Sequence, residues 1–317
     1  MTNIPTILVL AGGPDPEHDV SLESARCIAE AINLGDRFVA LTHEFQTIDA
    51  SALAALPGDI VFPALHGRFG EGGPIQRLLE ADGRPFVGSG SDTSRIAIDK
   101  IETKRIASCL SPSIGATRVK VSESVSVDPS NSAPPLEFPF VVKPQFEGSA
   151  IGLFICRDES DWRRAHAETI ASARETMAEP YIDGREVTIG MIDQGAGLDV
   201  LPIIEITPMS GLYDYNAKYE RDDTKYTKYP DIPSQLTIDL NAFCGALANR
   251  LGVRDIARAD FMLDTDGFAH LLEINTMPGF TSHSLVPMAC GGLGMTGLCE
   301  LLVDRAISRS TLTNQPN

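Results

Sequence analysis

The stretch from Arg258 to Leu285 reads RADFMLDTDGFAHLLEINTMPGFTSHSL, and it predicts two strands joined by a tight Asp264-Thr265-Asp266-Gly267 turn. Side chains two residues apart on a strand share a face, so Glu273 and Asn275 lie together and Asp260 can join them across the hairpin. Two carboxylates and an amide oxygen are hard-oxygen ligands, suited to Mg²⁺ that bridges phosphate oxygens. The alternative is an exposed strand face with three ordinary polar residues.

A second motif is the loop Lys143-Pro144-Gln145-Phe146-Glu147-Gly148-Ser149-Ala150-Ile151-Gly152, which connects two apolar runs. Its glycines let backbone N–H groups approach an anion, and Lys143 adds a positive charge at the base of the loop. Because the loop joins two strands, it predicts a flap over phosphates; the chain has no G-x-x-x-x-G-K-[ST] motif. An ordinary hairpin turn is the alternative.

The rest of the chain predicts an α/β protein with three parts. Apolar runs at 6–10, 59–65 and 85–87 each end in a glycine turn, which predicts parallel strands whose loops meet at one edge of a sheet. We expect an N-terminal α/β domain over 1–92, a small central lobe with the flap over 93–185, and a C-terminal lobe over 186–317. The irregular, tyrosine-containing stretch 208–230 predicts a mobile lid.

The net charge and the composition limit the kinds of partner and cellular location that we expect. The formal net charge of −17 over 317 residues argues against nucleic acid as a partner, because phosphate neutralisation requires a basic face. We expect no signal peptide at Met1–Pro5, because a basic region and an apolar core are missing there, and no membrane insertion. The six scattered cysteines predict reduced thiols and a cytoplasmic protein.

Together these motifs resemble the ATP-grasp superfamily and, within it, the D-alanine–D-alanine ligase family, over nearly the whole chain. The resemblance rests on five segments: 12–22, 64–67, 142–149, 213–219 and 272–285. It implies an ATP-grasp fold with an N-terminal parallel-sheet (Rossmann-like) domain, a small central lobe and a C-terminal α+β lobe. It also implies ATP, two Mg²⁺ ions that Mn²⁺ could replace, D-alanine as substrate, and a homodimer.

The resemblance also implies a role for each matching residue. The residues implied in nucleotide binding are Lys100, Lys143, Glu147, Gly148, Ser149, Glu179, Tyr181, Ile182, Glu186, Lys218, Phe261 and Leu272. Those implied in metal binding are Asp260, Glu273 and Asn275. Those implied in substrate binding or catalysis are Glu17, Val20, His66, Ser149, Tyr219, Arg258, Gly279, Ser284 and Leu285.

The reaction implied is ligation of two D-alanines through an acylphosphate. Glu17, Ser149 and Tyr219 match a hydrogen-bonded trio that orients Glu17 and closes the lid, and Arg258 with the Gly279 N–H matches an oxyanion-binding pair. Ala150 departs from the second serine that many relatives have there, which weakens the expected hydroxyl contacts with phosphate. Two alternatives stay open: an ATP-grasp ligase for another amino-acid or hydroxy-acid acceptor, and a non-catalytic nucleotide-binding module.

Overall fold

The N-terminal part is built around a small parallel sheet. A computed structural model describes residues 4–149, 151–209 and 223–313. Strands β1 (Thr6–Gly12), β2 (Val39–Phe45) and β3 (Ile60–Pro63) lie in the order β2-β1-β3, and both pairings are parallel. The predicted third strand at 85–87 contributes only an isolated bridge between Val61 and Phe86. Four helices accompany this sheet: α1 (His18–Leu34), α2 (Ala50–Ala55), α3 (Gly67–Glu71) and α4 (Pro74–Asp82).

The segment that follows contains two helices, α5 (Ser91–Ile98) and α6 (Lys100–Ser108). The break lies at Asp99, whose side chain accepts a hydrogen bond from the Glu102 N–H and so caps α6. A short helix, α7 (Ser111–Ile114), follows. The cap places Lys100 in the first turn of α6, and Lys104 follows one turn later on the same face.

The flap belongs to a four-stranded antiparallel sheet. Its strands are β5 (Val125–Ser126), β6 (Phe140–Pro144), β7 (Phe154–Cys156) and β8 (Thr176–Pro180), in the order β5-β8-β6-β7, and helix α8 (Glu159–Ser172) packs beside them. Trp162 of α8 is fully buried against Phe140 of β6. The loop from Pro144 to Phe154 is thus the connection of an antiparallel hairpin, as the sequence predicts.

The largest sheet contains the hairpin of the stretch from Arg258 to Leu285. Its strands are β4 (Val119–Lys120), β9 (Gly184–Asp193), β10 (Leu198–Val200), β11 (Ile204–Thr207), β12 (Lys225–Lys228), β13 (Ile256–Asp264) and β14 (Ala269–Asn275). Their order is β12-β11-β9-β13-β14-β4, and β10 pairs with β9. Helix α9 (Ser234–Leu251) covers one face of this sheet. The chain continues through α10 (Leu285–Cys290), a 3₁₀ turn at Gly291–Leu293, and α11 (Gly294–Thr313).

The division into 1–92, 93–185 and 186–317 stays a prediction. The residues that follow its first boundary pack mainly with the largest sheet. Ala97 of α5, Ala107 of α6 and Val119 of β4 belong to the apolar cluster beneath the largest sheet, and β4 pairs with β14. The segment 91–120 therefore packs with the C-terminal sheet, although it precedes the flap sheet in sequence.

The run Leu285–Thr311 is long and apolar enough, by length and composition alone, to cross a membrane, although the sequence predicts no membrane insertion. Within it, Leu298, Leu302 and Val303 are fully buried in the cluster that also holds the core of α1 and β1. The core helix of a globular protein passes the same test, so this finding is weak support for a membrane span.

Candidate active site

The hairpin of β13 and β14 brings four polar side chains onto one face. The register pairs Asp260 with Glu273 and Arg258 with Asn275, and alternation along each strand keeps all four on the same side. Asp260 accepts hydrogen bonds from Arg258 Nη2 at 2.8 Å and from Thr188 Oγ1 at 2.5 Å. Glu273 Oε2 lies 3.2 Å from Lys100 Nζ. Each carboxylate therefore has a cationic neighbour, which offsets the cost of its partial burial.

The donor set on this face fits a magnesium ion held jointly with a substrate. Mg²⁺ in nucleotide sites is bound by one or two carboxylates and by phosphate oxygens, and seldom by a cage made only of protein. Consistent with this, the described residues contain no cluster of three or more His, Cys, Asp or Glu side chains that could hold a metal. Asn275 Oδ1 accepts the Met277 N–H at 2.8 Å, and its second lone pair can still take a ligand.

A cavity of about 390 Å³ opens between the flap sheet and the largest sheet. Apolar side chains such as Val141, Ile155 and Leu272 form part of its wall, and lysine and carboxylate side chains form another part. The residues of the predicted nucleotide and metal sites that line it are Lys100, Lys143, Glu147, Gly148, Glu179, Tyr181, Ile182, Glu186, Leu272, Asp260 and Glu273. A wall that combines apolar surface with lysines suits a flat aromatic base joined to an anionic tail.

Glu179 lies on the wall of this cavity and is held by two lysines. Lys143 Nζ lies 2.6 Å from Glu179 Oε1, and the Lys104 ammonium donates to Oε2. Burial on its own would raise the pKa of Glu179, but the two ammonium groups outweigh it and lower that pKa to about 2. Burial lowers the pKa of Lys104, whereas the attraction of Glu179 and Glu273 outweighs burial at Lys143 and raises its pKa.

Side chains from outside the flap hold it in place. Lys100 Nζ donates to the Glu147 carbonyl oxygen at 2.6 Å, and the Glu147 side chain pairs with Arg174 at 3.3 Å. Gly148 packs against Glu17, because a Cβ at this position would lie 3.0 Å from Glu17 Oε1. The next residue, Ser149, has a left-handed backbone with φ of 56°. These contacts aim the Ser149 hydroxyl at Glu17 Oε1, to which it donates at 2.9 Å.

A second, smaller cavity of about 60 Å³ adjoins the flap on the side of the N-terminal sheet. Its wall is strongly polar and includes the predicted substrate residues Glu17, His66, Ser149, Arg258, Gly279, Ser284 and Leu285. Gly148 and Glu273 line both this cavity and the large one. The two cavities therefore meet at the flap and at the acidic hairpin.

Comparison with known proteins agrees with this geometry. The family model described as D-ala D-ala ligase C-terminus matches residues 114–307. A D-alanine–D-alanine ligase of Cupriavidus pinatubonensis is 38% identical over 311 residues, covering 98% of this chain and 93% of the relative. One of Bordetella petrii is 37% identical over 302 residues, covering 94% and 91%.

The chain belongs to the D-alanine–D-alanine ligase family. A crystal structure of the Bacillus anthracis D-alanine–D-alanine ligase complexed with ATP is 27% identical, with a TM-score of 0.79, and the match covers 99% of this chain and all of that one. The predicted family and the ATP-grasp fold are therefore confirmed, and the chain is a ligase that uses ATP.

Within this ligase, His66 lies at the floor of the small cavity as a neutral ring. Burial lowers the pKa of His66 to about 4, and the nearby charge of Arg258 acts in the same direction. Its Nε2 lies 3.3 Å from Ser24 Oγ on α1. A neutral imidazole can donate to a substrate oxygen or accept from a substrate N–H without adding charge to the site.

Gly279 and Ser284 also line this cavity. A Cβ at Gly279 would come within 2.9 Å of Ser284 Oγ, so the absence of a side chain allows this close approach. Ser284 precedes α10, but its hydroxyl does not cap that helix. It accepts the Thr281 N–H at 2.8 Å and stays on the cavity wall.

Two predicted residues are not among the described lining residues of either cavity, and two others fall outside the described residues. Phe261 is fully buried in the core beneath the largest sheet, with its ring 6.1 Å from that of Phe243, and its role in nucleotide binding stays a prediction. Alternation places it on the face opposite Asp260. Val20 is buried in the first turn of α1 and is not among the described lining residues. Lys218 and Tyr219, like Ala150 and most of the predicted lid, fall outside the described residues.

Two buried polar residues of the site were missed by sequence reasoning. Lys104 supplies the second cation of Glu179, and its spacing of four from Lys100 on a helix was the available signal. Glu71 lines the small cavity, and burial, reinforced by the charge of Glu17, raises the pKa of Glu71 well above its usual value. Glu71 lies only four residues after the His66-Gly67 turn, but no motif distinguishes it from a surface glutamate.

Proposed function

We propose that this ligase joins two D-alanines into D-alanyl-D-alanine at the expense of ATP, in the cytoplasm, for peptidoglycan precursor synthesis. The observation that carries the proposal is the meeting of the two cavities at Gly148 and Glu273. A nucleotide in the large cavity and an amino acid in the small one would then have their reacting ends side by side, which removes most of the entropic cost of bringing them together.

The large cavity would hold ATP with its adenine toward Glu179, Tyr181 and Ile182 and its ribose toward Glu186. Lys100 and Lys143 would bind the phosphates, with Gly148 allowing the flap backbone to approach them. Asp260, Glu273 and Asn275 would hold two Mg²⁺ ions, which Mn²⁺ could replace. Bound metal would supply neutralisation of the phosphate charge that otherwise repels a carboxylate.

The first D-alanine would lie in the small cavity with its ammonium on Glu17, which Ser149 orients. Its carboxylate oxygen attacks the γ-phosphorus, the bond from that phosphorus to the bridging oxygen breaks, and ADP leaves. The product is an acylphosphate, in which phosphate replaces oxide as the leaving group. Closure of the flap and of the predicted lid at 208–230 would exclude water from this intermediate.

The second D-alanine would place its carboxylate near Ser284 and Leu285. Its amine, after loss of a proton, attacks the acyl carbon, and phosphate leaves with the oxygen that came from the first carboxylate. The oxyanion that develops would face Arg258 and the Gly279 N–H. Arg258 is oriented for this task because Asp260 accepts from its Nε and Nη2, at 2.9 and 2.8 Å.

The test is a reaction of the purified protein with ATP, Mg²⁺ and D-alanine, with products separated by chromatography. We expect ADP, phosphate and D-alanyl-D-alanine in equal amounts, and none of them above background with L-alanine. Glu17→Gln should bind ATP as the parent does but make little dipeptide. Failure to form dipeptide at saturating D-alanine, or efficient use of a D-hydroxy acid in its place, would reassign the acceptor.

We further propose that the ligase is a homodimer, as the family resemblance implies. The edge strand β2 exposes Val39 and Leu41, and the end of α1 exposes Leu34. Burial of such apolar groups would favour association. Sedimentation velocity should give twice the mass of one chain, and a single-chain mass at micromolar concentration would contradict the proposal.

A further inference from the structure

Glu179 is paired with two lysines, although one cation is enough to balance the charge of its carboxylate. Its carboxylate is only 4% exposed, and each oxygen is held by a lysine from a different element: Lys143 from β6 and Lys104 from α6. A buried carboxylate is costly without a cationic partner, but one close, hydrogen-bonded lysine offsets much of that cost. A second buried ammonium adds its own desolvation cost. This cost indicates that Lys104 does more than neutralise Glu179.

The two lysines differ in what they face. Lys143 and Glu179 line the large cavity, whereas Lys104 is not among its described lining residues and lies behind Glu179, 3% exposed. Lys143 also lies at the base of the flap, where the phosphates of a nucleotide would lie. Lys143 can therefore reach either a ligand or Glu179, while Lys104 can hold Glu179 whether or not a ligand is present.

We propose that Lys104 is a positioning residue that retains Glu179 and thereby frees Lys143 to bind the nucleotide phosphates. The proposal rests on the nucleotide site proposed above. Without Lys104, Lys143 would be the only close cation on a buried carboxylate, and turning it toward phosphate would leave Glu179 unpaired. Part of the phosphate-binding energy would then be lost, while the contact of Glu179 with adenine would be kept.

A purely structural role for Lys104 predicts a different effect of its removal on ligand binding. If Lys104 only neutralises Glu179 for the stability of the fold, its loss should lower the melting temperature. It should also weaken the binding of every ligand of the cavity to the same extent. The ratio between the affinities for a ligand with phosphates and one without them separates the two roles.

The experiment measures ADP binding by calorimetry in the presence of Mg²⁺, and adenosine binding by displacement of ADP. The proteins are the parent, Lys104→Met, the double variant Lys104→Met with Glu179→Gln, and Arg105→Met. Arg105 is the matched control because it follows Lys104 on the same helix and carries the same charge, but is 67% exposed and pairs with Glu102.

In Lys104→Met, ADP should bind about tenfold more weakly, as expected for a charge-assisted contact, while adenosine changes by less than about twofold. The double variant should recover the parent ratio of the two affinities, because a neutral amide no longer retains Lys143. Arg105→Met should change neither. Equal weakening of ADP and adenosine in Lys104→Met, or no recovery in the double variant, would overturn the inference. A parent protein that does not bind ADP would instead refute the nucleotide site itself.

Discussion

Replacement of Ser149 by alanine tests the most specific contact in the site. The Ser149 hydroxyl donates to Glu17 Oε1 at 2.9 Å, and both residues are buried. Alanine tolerates the same left-handed backbone about as poorly as serine, so the flap should keep its shape and lose only the hydroxyl. Ser149→Ala thus removes this hydrogen bond to a charged group.

The magnitude follows from the kind of bond. A hydrogen bond to a charged group contributes about 1.5–3 kcal/mol, which corresponds to a factor of about 10–150. We expect kcat/KM for D-alanine to fall within that range, because Glu17 loses the donor that orients it toward the substrate ammonium. Affinity for ADP should change little, since Ser149 lines the small cavity and is not among the described residues of the large one.

The assay is D-alanine-dependent phosphate release at saturating ATP, with ADP binding measured in parallel. Ser130→Ala, on the exposed loop before Phe138, is the control for a serine that lies away from the site. Parent-like kcat/KM in Ser149→Ala would refute the assigned role of this hydrogen bond. A parallel loss of ADP affinity would show that the flap as a whole had been disturbed.

Four further perturbations address other parts of the site. Glu273→Gln should cut turnover strongly and raise the Mg²⁺ concentration for half-maximal rate; an unchanged Mg²⁺ dependence would remove Glu273 from the metal site. Tyr219→Phe should raise the use of D-lactate relative to D-alanine as acceptor, and an unchanged preference would mean that this residue does not select the acceptor. Because the folded pKa of Glu179 is depressed to about 2, its ionised form stabilises the fold above its usual pKa near 4.5, and this stability is lost as pH falls toward 2. The difference in unfolding free energy between the parent and Glu179→Gln should therefore shrink over that window, and a constant difference in urea titrations would contradict the pairing. Phe261→Leu should lower the melting temperature through lost core packing and leave ADP affinity intact, whereas a selective loss of ADP affinity would support the predicted role of Phe261 in nucleotide binding.

Local sequence patterns predicted the parts of the site that depend on strand alternation and glycine turns. The shared face of Asp260 and Glu273 follows from a period of two and a tight turn, and the register shows it. The same alternation places Phe261 on the buried face, so its predicted role in nucleotide binding comes from the family resemblance and not from the strand pattern. Strand β2 was missed because Thr42, His43 and Glu44 interrupt its apolar pattern at an exposed sheet edge.

What could not be predicted depends on contacts between distant segments. Lys104 and Glu179 are 75 residues apart, and a lysine one turn along an amphipathic helix looks like a surface residue until the flap sheet covers it. The break at Asp99 depends on a side-chain cap, and the same carboxylate accepts Gln145 Nε2 at 2.8 Å from across the flap. Likewise, Glu71 has an unusual pKa only because the folded chain buries it near Glu17.

The most direct test of the central claim follows the carboxylate oxygens of the substrate. D-alanine labelled with ¹⁸O in its carboxylate is incubated with the enzyme, ATP and Mg²⁺, and the released phosphate is analysed by mass spectrometry. Transfer of a phosphoryl group to the first carboxylate predicts that each phosphate released carries one ¹⁸O, in step with the formation of dipeptide. Phosphate without label, released at the same rate as dipeptide, would contradict the acylphosphate route.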